Sequence, residues 1–76
     1  MKRSDRKILD EAIAKIALID SDIANYLARA LKRKSTTSSE YWYCRGLIDG
    51  FEARGILEKQ EYCLMFDTLL TLFQRG

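Results

Sequence analysis

Two thiols, Cys44 and Cys63, are the only side chains in this 76-residue sequence that join nucleophilicity to metal affinity, because it contains no histidine. A structural zinc site needs four nitrogen or sulfur ligands, and these two cysteines form neither a CxxC nor part of a second pair. A nucleophilic cysteine needs a neighbouring base, usually His, and both thiols are flanked by apolar residues that read as core. The carboxylate pairs Asp10 with Glu11 and Glu58 with Glu61 fall on polar helix faces, with no apolar pocket to raise a carboxyl pKa. Gly46, Gly50 and Gly55 lie within and at the end of a helix, so they do not build a phosphate-cradling loop. The residues predict no catalytic group, no metal and no cofactor.

Charge and aromatic side chains offer a different chemistry. Arg29, Lys32, Arg33 and Lys34 cluster just before Tyr41, Trp42, Tyr43 and Arg45, and a basic cluster beside aromatics can neutralise phosphates and stack on bases. Residues 1 to 38 carry nine basic and five acidic side chains, and residues 39 to 76 carry four and six. The basic half also holds Lys2, Arg3, Arg6 and Lys7. A net charge of only +2 weakens a nucleic-acid assignment, since dedicated binders are more strongly basic. The bland account is a solvated terminus plus cations placed at the negative end of a helix dipole.

The elements that would position these residues are helical throughout, and the chain contains no proline. Leu9, Ala12, Ile13, Ile16, Ile19, Ile23, Tyr26, Leu27, Ala30 and Leu31 recur at three- and four-residue spacing, the signature of an amphipathic helix. Ser4 is the expected N-cap and Lys32 to Lys34 the expected last turn. Ile16, Ile19 and Ile23 keep phase across Asp20-Ser21-Asp22, which favours one long helix; if the segment splits, it splits there, with Ser21 capping a helix from Ile23. Residues 35 to 39, all hydroxyl-bearing, make a connector. Thr37 with Glu40 forms a capping box that starts a second helix near Ser38. Tyr41, Cys44, Leu47, Ile48 and Phe51 form its apolar face, and Gly55 stops it in the left-handed C′ position with Ile56 folding back. A third helix is expected from about Glu58 to Gln74. In an antiparallel pair joined near Gly55, the two cysteines are offset by roughly four to five residues, at or beyond the bridging limit of about 7 Å. Both are therefore expected reduced, in a cytosolic protein. The charged N-terminus lacks a signal-peptide apolar region, and no apolar run reaches the roughly 20 residues of a membrane span.

Two surfaces need a partner on this reading. Tyr62 to Phe73 holds nine apolar residues in twelve, more than a single-layer core of this size hides easily. Cys63, Phe66, Leu70 and part of Tyr62 can face the other helices, with Leu69 and Phe73 along the seam. Leu64, Met65 and Leu72 are left over. In the second helix, Gly46, Gly50 and Ala53 form a strip with almost no side chain and Trp42 at its edge, although each interior glycine costs about 1 kcal/mol against alanine. Another helix is expected to lie close in that groove, the chain's own first helix being the simplest occupant.

The run LIDGFEARGILEKQEYCLMFDTLL, residues 47 to 70, resembles the short C-terminal helical hairpin called SHOCT, in the order Leu47, Phe51, Gly55-Ile56-Leu57, Glu61-Tyr62 and Leu69-Leu70. The resemblance covers about a third of the chain and implies a helical hairpin linked to oligomerisation. Glu58 stands where that family has a Thr or Ser cap, and the second helix here is far more apolar than the lysine-rich family version. RGLIDGFEARGIL, residues 45 to 57, is also similar to the recognition helix of winged-helix DNA-binding domains, but the glycine-rich wing does not follow.

Together these features predict one all-α domain over residues 1 to 76, a three-helix arrangement with a long N-terminal helix packed on a C-terminal αα-hairpin. The function expected is that of a non-catalytic, cytosolic, protein-binding adaptor or inhibitor, acting as a homodimer and occluding a partner surface. Trp42, Tyr43, Leu64, Met65, Leu72 and Phe73 are the expected contact residues. By analogy, cofactor-free helical proteins of this size are common among phage and mobile-element products that block a host protein. The alternative is a DNA-binding regulator using Arg29, Lys32, Arg33, Lys34 and Arg45.

Overall fold

Asp20 decides the architecture of the N-terminal half. In the computed structural model, which describes residues 2–75, its backbone is extended and its Oδ1 accepts from the amides of Asp22 and Ile23 at 3.0 and 3.1 Å. It is the N-cap of a new helix, so the segment expected as one long helix is two: α1 (Arg3–Ala17) and α2 (Ser21–Leu31). A short carboxylate side chain competes well for free amides, which is why Asp favours caps over helix interiors. The unbroken phase of Ile16, Ile19 and Ile23 is misleading because Ile19 belongs to the corner. Leu18 and Ile19 are 90% and 53% exposed there.

The start of α1 also differs from expectation. Lys2 is extended and occupies the N-cap position, the first helical bond runs from the Arg6 amide to the Lys2 carbonyl, and Ser4 lies inside the first turn. Asp5 still places a negative charge there, which suits the positive end of the helix dipole.

Thr37 caps α3 (Ser38–Ala53) as its capping box requires, its hydroxyl accepting from the Glu40 amide at 3.2 Å. The far end of α3 closes in a Schellman motif. The Ile56 amide reaches the Phe51 carbonyl at 2.9 Å and the Gly55 amide the Glu52 carbonyl at 3.0 Å. That geometry needs φ of +76° at Gly55, a conformation that side-chain-bearing residues resist. The chain then reverses into α4 (Lys59–Arg75).

Among the described residues the fold is all α, four helices with no strand. Sequence neighbours pair first, α1 on α2 and α3 on α4, and α4 also packs against both α1 and α2. Its inward residues are therefore Glu61, Met65, Leu69 and Leu72, a helical stripe fitted between two pairs of helices. Ala12, Ala24 and Ala30 are all buried between larger neighbours. No helix is long and apolar enough to cross a membrane among the described residues.

Buried Glu61 ties the two pairs together. Its Oε1 accepts from the Glu58 amide at 2.8 Å, the reciprocal half of a capping box, and from Lys15 Nζ of α1 at 2.5 Å. At the other end of α4, the amide of buried Thr36 donates to the Leu72 carbonyl at 3.3 Å and fastens the connector.

If Asp20 is the cap, Asp20→Ala lowers unfolding free energy by about 1 kcal/mol in urea titration. Ser21→Ala, at the position expected from sequence to cap, should change it by only a few tenths. Equal losses at both positions would contradict the assignment.

Candidate functional site

The outer face of α3 is where the chain exposes what a folded domain ordinarily hides. Its core face, Tyr41, Cys44, Ile48 and Phe51, is buried. Half a turn away stand Trp42 and Tyr43, 58% and 54% exposed. A Cβ added at Gly46 would meet nothing within 4 Å, and one at Gly50 only the Arg54 guanidinium at 3.9 Å. Ala53, next along the strip, is exposed. The close intramolecular helix packing expected at Gly46, Gly50 and Ala53 is not made. The reason is the split at Asp20: α1 turns away to pack on α2 and α4, and none of its Cα atoms comes within 8 Å of one in α3.

Around this face the aromatic side chains are held rather than loose. Tyr43 meets Tyr26 of α2 edge-on at 5.3 Å, and Trp42 meets Tyr41 edge-on at 5.0 Å. Such contacts fix ring orientation and are worth about 0.5–1.5 kcal/mol each. Asp49, on the same face, accepts from the Tyr62 hydroxyl at 2.5 Å. That bond holds the Tyr62 pKa above its ordinary value.

The α4 block is placed differently from expectation. Met65 is fully buried and Leu72 nearly so, which removes both from any contact surface. Leu64 and Phe73 are partly buried against the core, and Phe73 stacks on Tyr41 at 4.5 Å. Cys63, expected to face inward, is exposed. The inward turn of Glu61 rotates the helix by about one residue from the facing expected with that carboxylate in solvent. Once Lys15 neutralises that carboxylate, the buried stripe becomes Glu61, Met65, Leu69 and Leu72. The apolar surplus of Tyr62 to Phe73 is largely absorbed within one chain.

The basic residues do not converge into one free cluster. Arg29, Lys32 and Lys34 are exposed at the end of α2 and in the connector, but Arg33 is paired with Glu40. Arg45 donates to the Tyr41 hydroxyl at 3.4 Å and lies 4.5 Å from the Phe66 ring centroid and 5.5 Å from that of Trp42. An open groove of about 360 Å³ between the start of α1 and the end of α4 mixes Asp5 and Asp67 with Arg33 and Arg75. The hydroxyls of Thr68 and Thr71, which line it, donate to the Leu64 and Asp67 carbonyls of their own helix. That groove offers no convergent set of donors to a ligand.

Reactive chemistry is equally sparse. Burial pushes the Cys44 thiol from 9.0 up to about 11, the opposite of what a nucleophile needs. No cluster of three His, Cys, Asp or Glu that could hold a metal occurs among the described residues. What the sequence did not reveal was the exposed Leu18-Ile19 corner, for which the usable signal was Asp20 followed by two free amides. Comparison with known proteins finds no matching family model, no matching curated protein and no matching solved structure.

The two thiols should separate cleanly in a chromogenic thiol titration of the native protein. Cys63 reacts at once, and Cys44 only as fast as the chain opens; equal rates would show that Cys44 is not buried. Alkaline pH should destabilise the fold. Cys44, Tyr26 and Tyr62 are raised by burial or hydrogen bonding, and Lys15 by its bond to Glu61. A raised folded-state pKa gives stability that is complete below the unfolded value and lost as pH rises through the folded one. For Cys44 that window runs from 9.0 to about 11. Melting temperature should be flat from neutral pH to about 9 and fall above it, with Cys44→Ala falling less steeply.

Proposed function

We propose that this chain is a small non-catalytic protein-binding protein, an adaptor or inhibitor that covers a partner's surface with the outer face of α3 and that acts as a homodimer. The observation that carries the reading is the exposure of Trp42 and Tyr43 beside the bare backbone at Gly46. Trp and Tyr are the residue types enriched at binding hot spots, because they bury large area at low entropic cost. A small residue next to them lets a second backbone approach. Two interior glycines weaken a helix, and close contact with another helix compensates for that. The resemblance of residues 47 to 70 to an oligomerising hairpin points the same way.

A cytoplasmic setting fits two unpaired thiols, one of them exposed. By analogy with other cofactor-free helical proteins of this size, a phage or mobile-element product blocking a host protein is the role this reading favours. The DNA-binding alternative has less behind it. Of its five basic residues, Arg33 is held by Glu40 and Arg45 by aromatic rings.

Affinity capture from the native host, with nuclease added, separates the two. Capture that persists from low to moderate salt and drops at least about 30-fold in Trp42→Asp or Tyr43→Asp supports protein recognition by α3. Capture abolished by nuclease, or falling steeply with salt and with Lys32→Ala and Lys34→Ala, would overturn it in favour of phosphate contacts.

A further inference from the structure

The split at Asp20 folds the N-terminal segment back on itself and brings together two basic stretches from its opposite ends. Along one continuous helix Arg6 and Lys32 would stand about 39 Å apart. In the hairpin they line one narrow cleft of about 40 Å³ with Leu9, Ile13 and Leu31. We infer that this open end of the α1–α2 hairpin binds the phosphate backbone of duplex nucleic acid, without sequence preference. The surface is separate from the outer face of α3, and the inference does not rest on that face's role. Arg33 and Arg45, which are engaged within the chain, take no part in it.

Arg3 and Arg6 share one side of α1 by their three-residue spacing, Arg29 and Lys32 share one side at the end of α2, and Lys34 follows in the connector. All five are exposed. Among the described residues the ion pairs are Lys15 with Glu61 and Arg33 with Glu40, so none of the five has a carboxylate partner. Asp10, one turn after Arg6, is the acid in the cleft. Asp5 and Asp67 line the groove on the α4 side, and Glu40 holds Arg33. Five cations and one acid give the patch +4 in a chain of net +2, which leaves −2 for the rest. Stability does not call for this arrangement. Arg29 and Lys32 suit the negative end of α2, but Arg3 and Arg6 open α1, at the positive end of its dipole. Arg6 also shares its cleft with another cation. A bound polyanion relieves both repulsions.

What the patch lacks selects the polyanion. The exposed large apolar side chains are Leu18 and Ile19, at the opposite end of the hairpin, and Trp42 and Tyr43, on α3. The patch therefore has no ring on which an unpaired base could stack and no apolar wedge for a bilayer. The backbone of a duplex needs neither. The shortest dimension of the molecule, 20 Å, spans a length of duplex bearing about 12 phosphate charges, enough for five cations to find partners.

Fluorescence anisotropy of a labelled DNA duplex of about 20 base pairs and mixed sequence, titrated with the full chain, tests the assignment. Five phosphate contacts give a slope of about −4.5 in log affinity against log salt, so binding weakens about 500-fold between about 50 and about 200 mM. A duplex of unrelated sequence binds equally well. Arg6→Ala and Lys32→Ala each lower the slope by about 1, and Asp10→Asn tightens binding. Arg6→Glu places an acid where the start of α1 favours one. It melts no lower than the parent chain and loses at least about tenfold in duplex affinity. No binding at about 50 mM salt, or a slope indifferent to Arg6 and Lys32, overturns the inference. Tighter binding to the single strand overturns it too, as does capture by phosphatidylserine vesicles stronger than by the duplex. Trp42→Ala leaves duplex binding unchanged; a loss there as large as that of Arg6→Ala would place the contact on α3 and sink the assignment. The two surfaces fail separately, since nuclease-resistant capture of a host protein through Trp42 and Tyr43 is indifferent to Arg6→Ala.

Discussion

The carboxylate of Glu61 is the point on which the arrangement turns. It is buried, and an unpaired charge there would be strongly unfavourable. Two donors satisfy it: the Glu58 amide closes the start of α4, and the Lys15 ammonium arrives from α1. One atom therefore both begins a helix and fixes where another helix rests. With Glu61 turned inward, Met65, Leu69 and Leu72 follow it by helical spacing, and α4 becomes the element on which the other three pack. The same rotation leaves Cys63 in solvent and spreads Leu64, Phe66, Leu70 and Phe73 around the margins of the core.

That rotation explains what the residues alone disclosed and what they did not. The elements with local chemistry were visible in the sequence: Thr37 with Glu40 at one end of α3, Gly55 with Ile56 at the other, and the all-α class. Each depends on interactions within one turn of chain, so the residue types suffice. The split at Asp20 was also local, but the hydrophobic phase of Ile16, Ile19 and Ile23 outweighed a cap that stood one residue earlier than expected. The facing of α4 was not local. Nothing near Glu61 announces that a lysine 46 positions earlier will neutralise it, and without that partner the charged residue belongs on the surface.

The candidate surface shows the same division. Trp42, Tyr43 and the bare strip at Gly46, Gly50 and Ala53 were visible as unusual on an amphipathic helix. Which neighbour would fill the strip was not, because that depends on where α1 goes after Asp20. With α1 directed onto α2 and α4, the strip stays open while the apolar block of α4, the more conspicuous feature in sequence, is covered. Apolar content by itself marks what wants burial, and the topology decides which of it obtains burial within the chain.

The connector between Leu31 and Ser38 divides the chain into two hairpins of similar length, and most packing is between sequence neighbours. Long loops are closed only where α4 meets α1 and α2. The entropy of closing such a loop grows slowly with its length, and folds dominated by local contacts cross their barrier fast. The buried residues of both hairpins form one shared apolar core. The contacts that join them include the pair of Lys15 with Glu61 and the bond from the Thr36 amide to the Leu72 carbonyl. The two halves are thus clasped near both ends of α4.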